Sequence, residues 1–500
     1  MNVKLSKLVI AALASTSLMG FGGLAHADST DDIVNALVMK GVLTEEEGAL
    51  LTKGHTGETS AAEKKAKKEK DSTVHSAGKM AIRGYLQVRN TTLLGDNNTG
   101  INLFSDRSVG NTMSMADKDK NFLIRRARLI ISGSAGDRLD YYLQPDFASS
   151  ATGASNIAQL RDYYGDLNLT KDKVHRVRVG QSKVPYGFEN LQSSQNRLAL
   201  DRADAFNSAV RDERDLGAFY YYTPDNVQKL FKEIIDTGLK HSGNYGMFAL
   251  GAYNGQGANQ QDQNSNYHTV ARLTYPWKTE SGQIYEAGIQ GYKGKYVRSQ
   301  SAYKRLADQT NSTSSASNSV TPENGCAAAG CKDERVGISF MMYPMPFGLQ
   351  GEWNWGKTPG LDISQGANTS DINGSAAGGT VSKGRIMNKN LNGGYIQTMY
   401  KIDHVKIGDT DSTVIPFVRW QYFDGYNKAE SNAAQNKVND WELGAEWQIA
   451  PEVELVAYYH RMHRNNLVAG SNSSTTNPSG KADYERFKAD AIRVQLQYNF

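Results

Sequence analysis

The sequence predicts an all-β fold, a transmembrane antiparallel β-barrel of about sixteen strands, and three observations carry that prediction. The first is the C-terminal stretch 491–500, where Ile492, Val494, Leu496, Tyr498 and Phe500 share one face and Arg493, Gln495, Gln497 and Asn499 the other. Period-two alternation makes a strand with one apolar and one wet face, and bacterial outer-membrane barrels finish on such a strand with a terminal aromatic. The second is composition. Mean hydropathy is −0.55, and the chain carries 26 Tyr and 48 Gly against 11 Pro. Past the N-terminus no apolar run is long enough to cross a bilayer as a helix. In a barrel only every second strand residue meets lipid, so mean hydropathy stays low, and Tyr suits the interfacial girdles. Two or three soluble domains would also fit the length. The third observation is an export signal at the N-terminus, and the alternating segments that recur along the chain then decide for the barrel.

That signal reads as residues 1–27. Lys4 and Lys7 precede the apolar, small-residue stretch from Leu8 to Leu24, and Ala25-His26-Ala27 offers a cleavage site before Asp28. Losing the signal removes two lysines and no acid, which lowers the formal charge from +4 to +2. So small a net charge says little about partners, and any charge selectivity must come from local clusters. No nucleic-acid partner is expected.

Residues 28–79 read as a short helical and charged periplasmic segment. Two short helices break near Gly41, Thr44 and Glu47 have capping-box spacing, and 61–71 (AAEKKAKKEKD) is a charged run suited to a solvated linker or to a periplasmic partner. The barrel is assigned to 80–500. Its alternating segments are 80–90, 122–132, 138–147, 157–169, 174–182, 216–222, 244–253, 267–275, 284–297, 335–342, 347–355, 395–402, 414–422, 441–449, 452–460 and 487–500. Long polar connections alternate with short ones, as in outer-membrane barrels, and an even strand number returns both ends to the short-turn, periplasmic side. One short-turn position is instead occupied by 226–242. There Leu230, Phe231, Ile234, Ile235 and Leu239 have helical spacing, which fits either a periplasmic helix or a prolonged strand pair.

The remaining motifs are mostly bland. Cys326 and Cys331, in CAAAGC, read as a disulfide in an exported protein. Residues 351–358 (GEWNWGKT) match the P-loop pattern, but two Trp fill the phosphate loop and Pro359-Gly360 breaks the helix that should follow. His460 and His463 fall on opposite strand faces. No metal constellation, catalytic set or cofactor motif emerges, and no enzyme activity is expected.

What stands out is a basic cluster. Arg126 and Arg128 share one strand face, Leu123, Ala127, Leu129 and Ile131 share the other, and Arg125 interrupts. Arg176 and Arg178 alternate with Val177 and Val179; Arg161 lies on the strand before, and Lys183 opens a long third loop. That loop carries Arg197, Arg202, Arg211 and Arg214 among Asp201, Asp204, Asp212, Glu213 and Asp215. Two readings fit: a salt-bridge lattice that stiffens the wall, or an anion path lined by arginines, whose planar donors suit oxyanions. Lys428 and Lys437 read as rim lysines, outside any such path.

The segments 122–147 (FLIRRARLIISGSAGDRLDYYLQPDF), 177–202 (VRVGQSKVPYGFENLQSSQNRLALDR), 214–221 (RDLGAFYY) and 251–257 (GAYNGQG) resemble the phosphate-selective porin O and P family. The resemblance runs from about Met80 to Phe500. It implies a homotrimeric sixteen-stranded barrel in the outer membrane of a Gram-negative bacterium, with a third loop folded into a basic pore that passes small anions. Arg125, Arg126 and Arg128 match the family's arginine-bearing strand, and Lys183 the lysine of its GQ-x-K motif. The sequence therefore favours a passive porin for small anions, phosphate or other oxyanions, embedded in outer-membrane lipid. The alternatives are a structural barrel, such as the sheath of a larger envelope complex docked through 28–79, and a barrel enzyme.

Overall fold

The computed structural model describes residues 80–94, 120–148, 158–297, 326, 330–362, 385–408, 410–429, 433–468 and 483–500. The chain divides into two units, 1–76 and 77–500. The signal, the 28–79 segment and its charged run lie outside the described residues.

Seventeen strands form one closed antiparallel sheet among the described residues. They are β1 (Ala81–Leu94), β2 (Lys120–Ala135), β3 (Leu139–Asp146), β4 (Gln159–Asn168), β5 (His175–Lys183), β6 (Arg214–Tyr222), β7 (Phe248–Tyr253), β8 (His268–Lys278) and β9 (Ile284–Tyr296). They continue as β10 (Cys331–Met342), β11 (Phe347–Asp362), β12 (Arg385–Tyr400), β13 (Ile402–Ile407), β14 (Thr410–Tyr426), β15 (Gln435–Ala450), β16 (Val453–Val468) and β17 (Asp483–Asn499). Sixteen of them make the wall. β12 pairs directly with β14, while β13 pairs only with the start of β14 as a hairpin turning at Gly408, whose φ is 62°. The sequence reads a plain turn there. The P-loop-like stretch 351–358 is strand throughout, within β11.

Closure falls between β1 and β17, from Tyr85 opposite Asn499 to Leu94 opposite Asp490. The last residue completes it: the Gly84 amide donates to the Phe500 carbonyl at 2.7 Å and the Phe500 amide to Gly84 at 3.0 Å. A Cβ on Gly84 would lie 2.5 Å from the Phe500 ring, so glycine is what lets that ring lie over β1. Ile492, Tyr498 and Phe500 face outward, whereas Arg493, Gln495 and Gln497 are buried inside.

The segment left open between helix and strands is a helix. Three α-helices occur among the described residues, α1 (Phe188–Leu191), α2 (Asp204–Asn207) and α3 (Asp225–Asp236). In α3, Val227, Phe231 and Ile234 recur at helical spacing and are buried, while Asp225–Lys229 and Lys232–Asp236 pair along the exposed side. The helix ends at Thr237-Gly238, where Gly238 takes φ 65°. It lies on the short-turn side, and its apolar face joins Phe188, Leu198, Leu200, Ile284, Tyr343 and Phe417 in one cluster. Cys326 and Cys331 are joined by a disulfide just ahead of β10.

The basic strand β2 differs in phase from its sequence reading. The pairing with β1 slips between Gln87 and Val88: Arg126 is opposite Gln87 and Ile124 opposite Val88, which leaves Arg125 as the extra residue of a bulge. Phe122 and Ile124 therefore face lipid above the bulge, and Ala127, Leu129 and Ile131 below it. Leu123 does not share their face, which corrects the strict alternation. The bulge also turns Arg125 inward, so that Arg125, Arg126 and Arg128 are all buried.

Candidate functional site: the lumen and its third loop

The connection from β5 to β6, residues 184–213, folds into the barrel rather than standing above it. Most of its residues are buried. Gly187 takes φ 79°, and a Cβ there would sit 2.6 Å from the Phe206 ring, so the turn into α1 depends on glycine. Tyr186 stacks on Phe206 and meets Tyr292 edge-on, ring centres 4.9 Å apart. Through these rings the loop shares an apolar cluster with Tyr253, Tyr292, Tyr395, Phe423 and Val438 from strands around the wall.

Polar pins then fix the loop. Asp201 receives Arg89 at 2.9 Å and Arg493 at 2.6 Å. Asp204 pairs with Arg464 at 3.1 Å, and Glu189 with Arg419 at 2.8 Å. Glu352 accepts the amides of Phe188 and Glu189, while Arg335 and Asn354 donate to the Ala205 carbonyl. Lys428 Nζ donates to the Ala209 carbonyl at 2.5 Å and also binds Asp333. Lys428 is therefore buried inside the barrel and pins the loop; it is not the rim lysine of the sequence reading. Lys437 is exposed and pairs with Asp424 at 3.0 Å.

These contacts sort the basic residues singled out from sequence. Several are held by carboxylates: Arg128 by Asp146 at 2.7 Å, Arg178 by Asp166 at 2.7 Å, Arg202 by Glu213 at 2.7 Å, and Arg161 more loosely by Asp212 at 3.5 Å. Arg176 reaches Asp166 only at 3.9 Å and also donates to the Asn244 carbonyl. Arg126, Arg197 and Lys183 have no carboxylate within ion-pair distance among the described residues. Arg126 Nη1 donates to Gln87 Oε1 at 2.7 Å and Arg197 Nη2 to the Leu200 carbonyl at 3.1 Å. Lys183 Nζ donates to the Leu191 and Gln192 carbonyls, each at 2.8 Å. Arg126 Nε and both Nε and Nη1 of Arg197 are buried without a hydrogen-bond partner among the described residues. Arg125, Arg128 and Arg197 are among the charged side chains around Arg126. The structure thus brings together Arg125, Arg126, Arg128 and Arg197 and sets Arg176 and Arg178 apart around Asp166.

The wall arginines 89, 335, 419, 464 and 493 were missed as functional side chains. Each is a wet-face residue of an alternating strand, and that was the available signal. Which loop group each meets, an acid for four of them and the Ala205 and Ser208 carbonyls for Arg335, depends on contacts separated by as many as 292 positions, from Asp201 to Arg493, which local pattern does not encode. The quoted motifs meet here as well. Asp215 of RDLG accepts the amides of Gly255 and Gly257 of NGQG, each at 2.8 Å, where both glycines have positive φ.

A closed barrel whose third loop is pinned inside a polar lumen is the architecture of an outer-membrane porin. The sequence matches the family model for phosphate-selective porin O and P over residues 99–500, and the chain belongs to that family. It is accordingly a protein of the Gram-negative outer membrane. No curated protein matches it in sequence. Among solved structures it is similar to the outer membrane channel DcaP of Acinetobacter baumannii at 13% identity, with 85% of this chain and 98% of that one covered and a TM-score of 0.45. It is also similar to OmpT of Vibrio cholerae in its trimer form, at 12% identity, coverage of 85% and 100%, and a TM-score of 0.42. A third is the anion-selective porin from Comamonas acidovorans, at 12% identity, coverage of 84% and 99%, and a TM-score of 0.43.

Proposed function

We propose that the chain is a passive diffusion channel for small anions, phosphate and other oxyanions among them, and that Arg125, Arg126, Arg197 and Lys183 form the selective stretch of its path. One observation carries the reading. Glu189, Asp201 and Asp204 of the third loop are already neutralised by wall arginines, whereas Arg126 and Arg197 keep buried guanidinium donors without a partner among the described residues, next to other cations. An unpaired buried charge costs several kcal/mol, and a transient anion is the partner that relieves it. A single contact at 4 Å is worth roughly 4 kcal/mol at an effective dielectric of 20. Several partly hydrated contacts in series attract an anion and still release it.

In this reading Arg128, Arg176 and Arg178 serve the wall, because Asp146 and Asp166 hold them. The functional unit is a homotrimer, as the family resemblance implies. A channel accounts for the family and the fold without any catalytic step. The test is the reversal potential of single channels in a salt gradient. Replacing Arg126 and Arg197 together by Gln should move it toward cation preference, while Lys437→Gln leaves it in place. Equal, small effects from both would refute the assignment.

A further inference from the structure

The lipid-facing wall carries a feature that ion conduction does not use. Across β7–β12 a groove of about 570 Å³ opens on the outer surface, with Leu250, Ala271, Gly291, Val336 and Trp355 among its lining. Its floor is low because Ala271 and Gly291 lie directly opposite each other, and its sides stand up because Leu250, Val336 and Trp355 are about half exposed. The next outward row below is Leu273, Ile289 and Ile338, so the groove continues into the apolar band. Further down, toward the short turns, Trp277 stacks on Tyr285, ring centres 5.3 Å apart, at the position of an interfacial aromatic. The groove therefore lies toward the long-loop, outer-leaflet side.

Above it the outward face turns basic. In the cross-strand register Lys293 and Lys357 flank Glu334, and one outward step higher Lys295 faces Lys332 directly. None of these four amines has a hydrogen-bond or ion-pair partner among the described residues, and Glu334 is the only acid in the two rows. Like charges directly opposite on neighbouring strands destabilise a sheet. Such a pair persists readily where an anion sits between the two amines. An apolar trench running up to unpaired lysines at the height of the headgroups fits an amphiphile with a phosphorylated head and acyl tails. We propose that this groove is a docking site for a phosphorylated, acylated lipid of the outer leaflet, with one chain over Ala271 and Gly291 and a phosphate between Lys295 and Lys332.

The experiment uses the full-length protein purified in detergent and a bisphosphorylated lipid A as probe, with bound lipid counted by native mass spectrometry. Lys295→Gln with Lys332→Gln should weaken retention about thirtyfold, and Ala271→Leu should weaken it by filling the trench. The same lipid stripped of its phosphates should bind the wild type no better than it binds the double variant. Inorganic phosphate at millimolar concentration should not displace the lipid. The proposal fails if the double variant retains the lipid as the wild type does, or if removing the phosphates changes nothing. It fails too if free phosphate competes fully, which would mark a simple ion site. If the variants instead dissociate the oligomer with lipid binding intact, the groove is a contact between copies and the proposal is wrong. Reversal potential should be unchanged in every variant, so this outcome is separable from that of the anion path.

Discussion

At the scale of single residues, side chains of one type do different work according to what faces them. Arg128 and Arg126 are two positions apart on one strand, yet Arg128 is closed by Asp146 and by the Tyr85 hydroxyl at 2.7 Å, while Arg126 has one amide oxygen and an unpaired Nε. Removing one partner of a buried ion pair costs about 3–5 kcal/mol. Arg128→Gln should therefore lower the temperature at which the barrel loses its compact, heat-modifiable form, with little change in reversal potential. The sequence reading treats Arg126 and Arg128 as one functional pair; they lie together in the wall, but among the described residues only Arg128 has a carboxylate partner. His241 is a second case. It lies between α3 and β7, with Nε2 3.1 Å from Asn196 Nδ2 of the third loop. Burial, reinforced by the charges of Lys240 and Lys183, pulls its pKa from the usual 6.5 down to about 4. A depressed folded-state pKa favours the neutral ring, so this contribution is complete above pH 6.5 and is lost as pH falls toward 4. Thermal melts should show less acid sensitivity in that window for His241→Gln than for the wild type.

At the scale of elements, the β1–β17 seam that closes the barrel ends at a corner made by Gly84 and Phe500. Phe500 supplies both main-chain bonds to Gly84 and a ring over it. Deleting Phe500 should sharply reduce membrane-inserted, heat-modifiable protein, and Gly84→Val should do the same by pushing the ring away. Normal assembly of both variants would show that closure does not depend on this corner. α3 shows how an insertion is tolerated at a short-turn position. Its apolar face is used inside the barrel mouth, and its charged face pairs along itself.

At the scale of the whole molecule, the third loop and the wall are one electrostatic unit. Wall arginines from β1, β14, β16 and β17 converge on three loop acids, Glu189, Asp201 and Asp204. Asp204→Asn should loosen the loop and leave Arg464 with Asp440 alone. We expect noisier single-channel currents and lower heat resistance, since a pinned loop sets both the pore and part of its wall. Quiet, wild-type-like currents from this variant would mean that the remaining contacts hold the loop unaided.

Much of this protein was legible in its sequence because strand alternation and turn length are local properties. The wall strands, their order, the antiparallel pairing and the closing aromatic follow from period-two patterns, and the wet face of β17 already marked Arg493 as a lumen residue. Composition and strand alternation pointed to the membrane class, and the quoted motifs to the family. Tertiary structure alone decided the rest. A bulge is one residue of register, set by the partner strand, so the inward turn of Arg125 could not be read from β2 by itself. Lys428 looked like a rim lysine because its partners, Asp333 and the Ala209 carbonyl, lie far away in sequence. Which arginines are neutralised and which remain open depends on where a loop of thirty positions, 184–213, meets strands from both ends of the chain. Charge type is a property of the sequence, but charge compensation is a property of contacts, and those exist only once the barrel has closed around its loop.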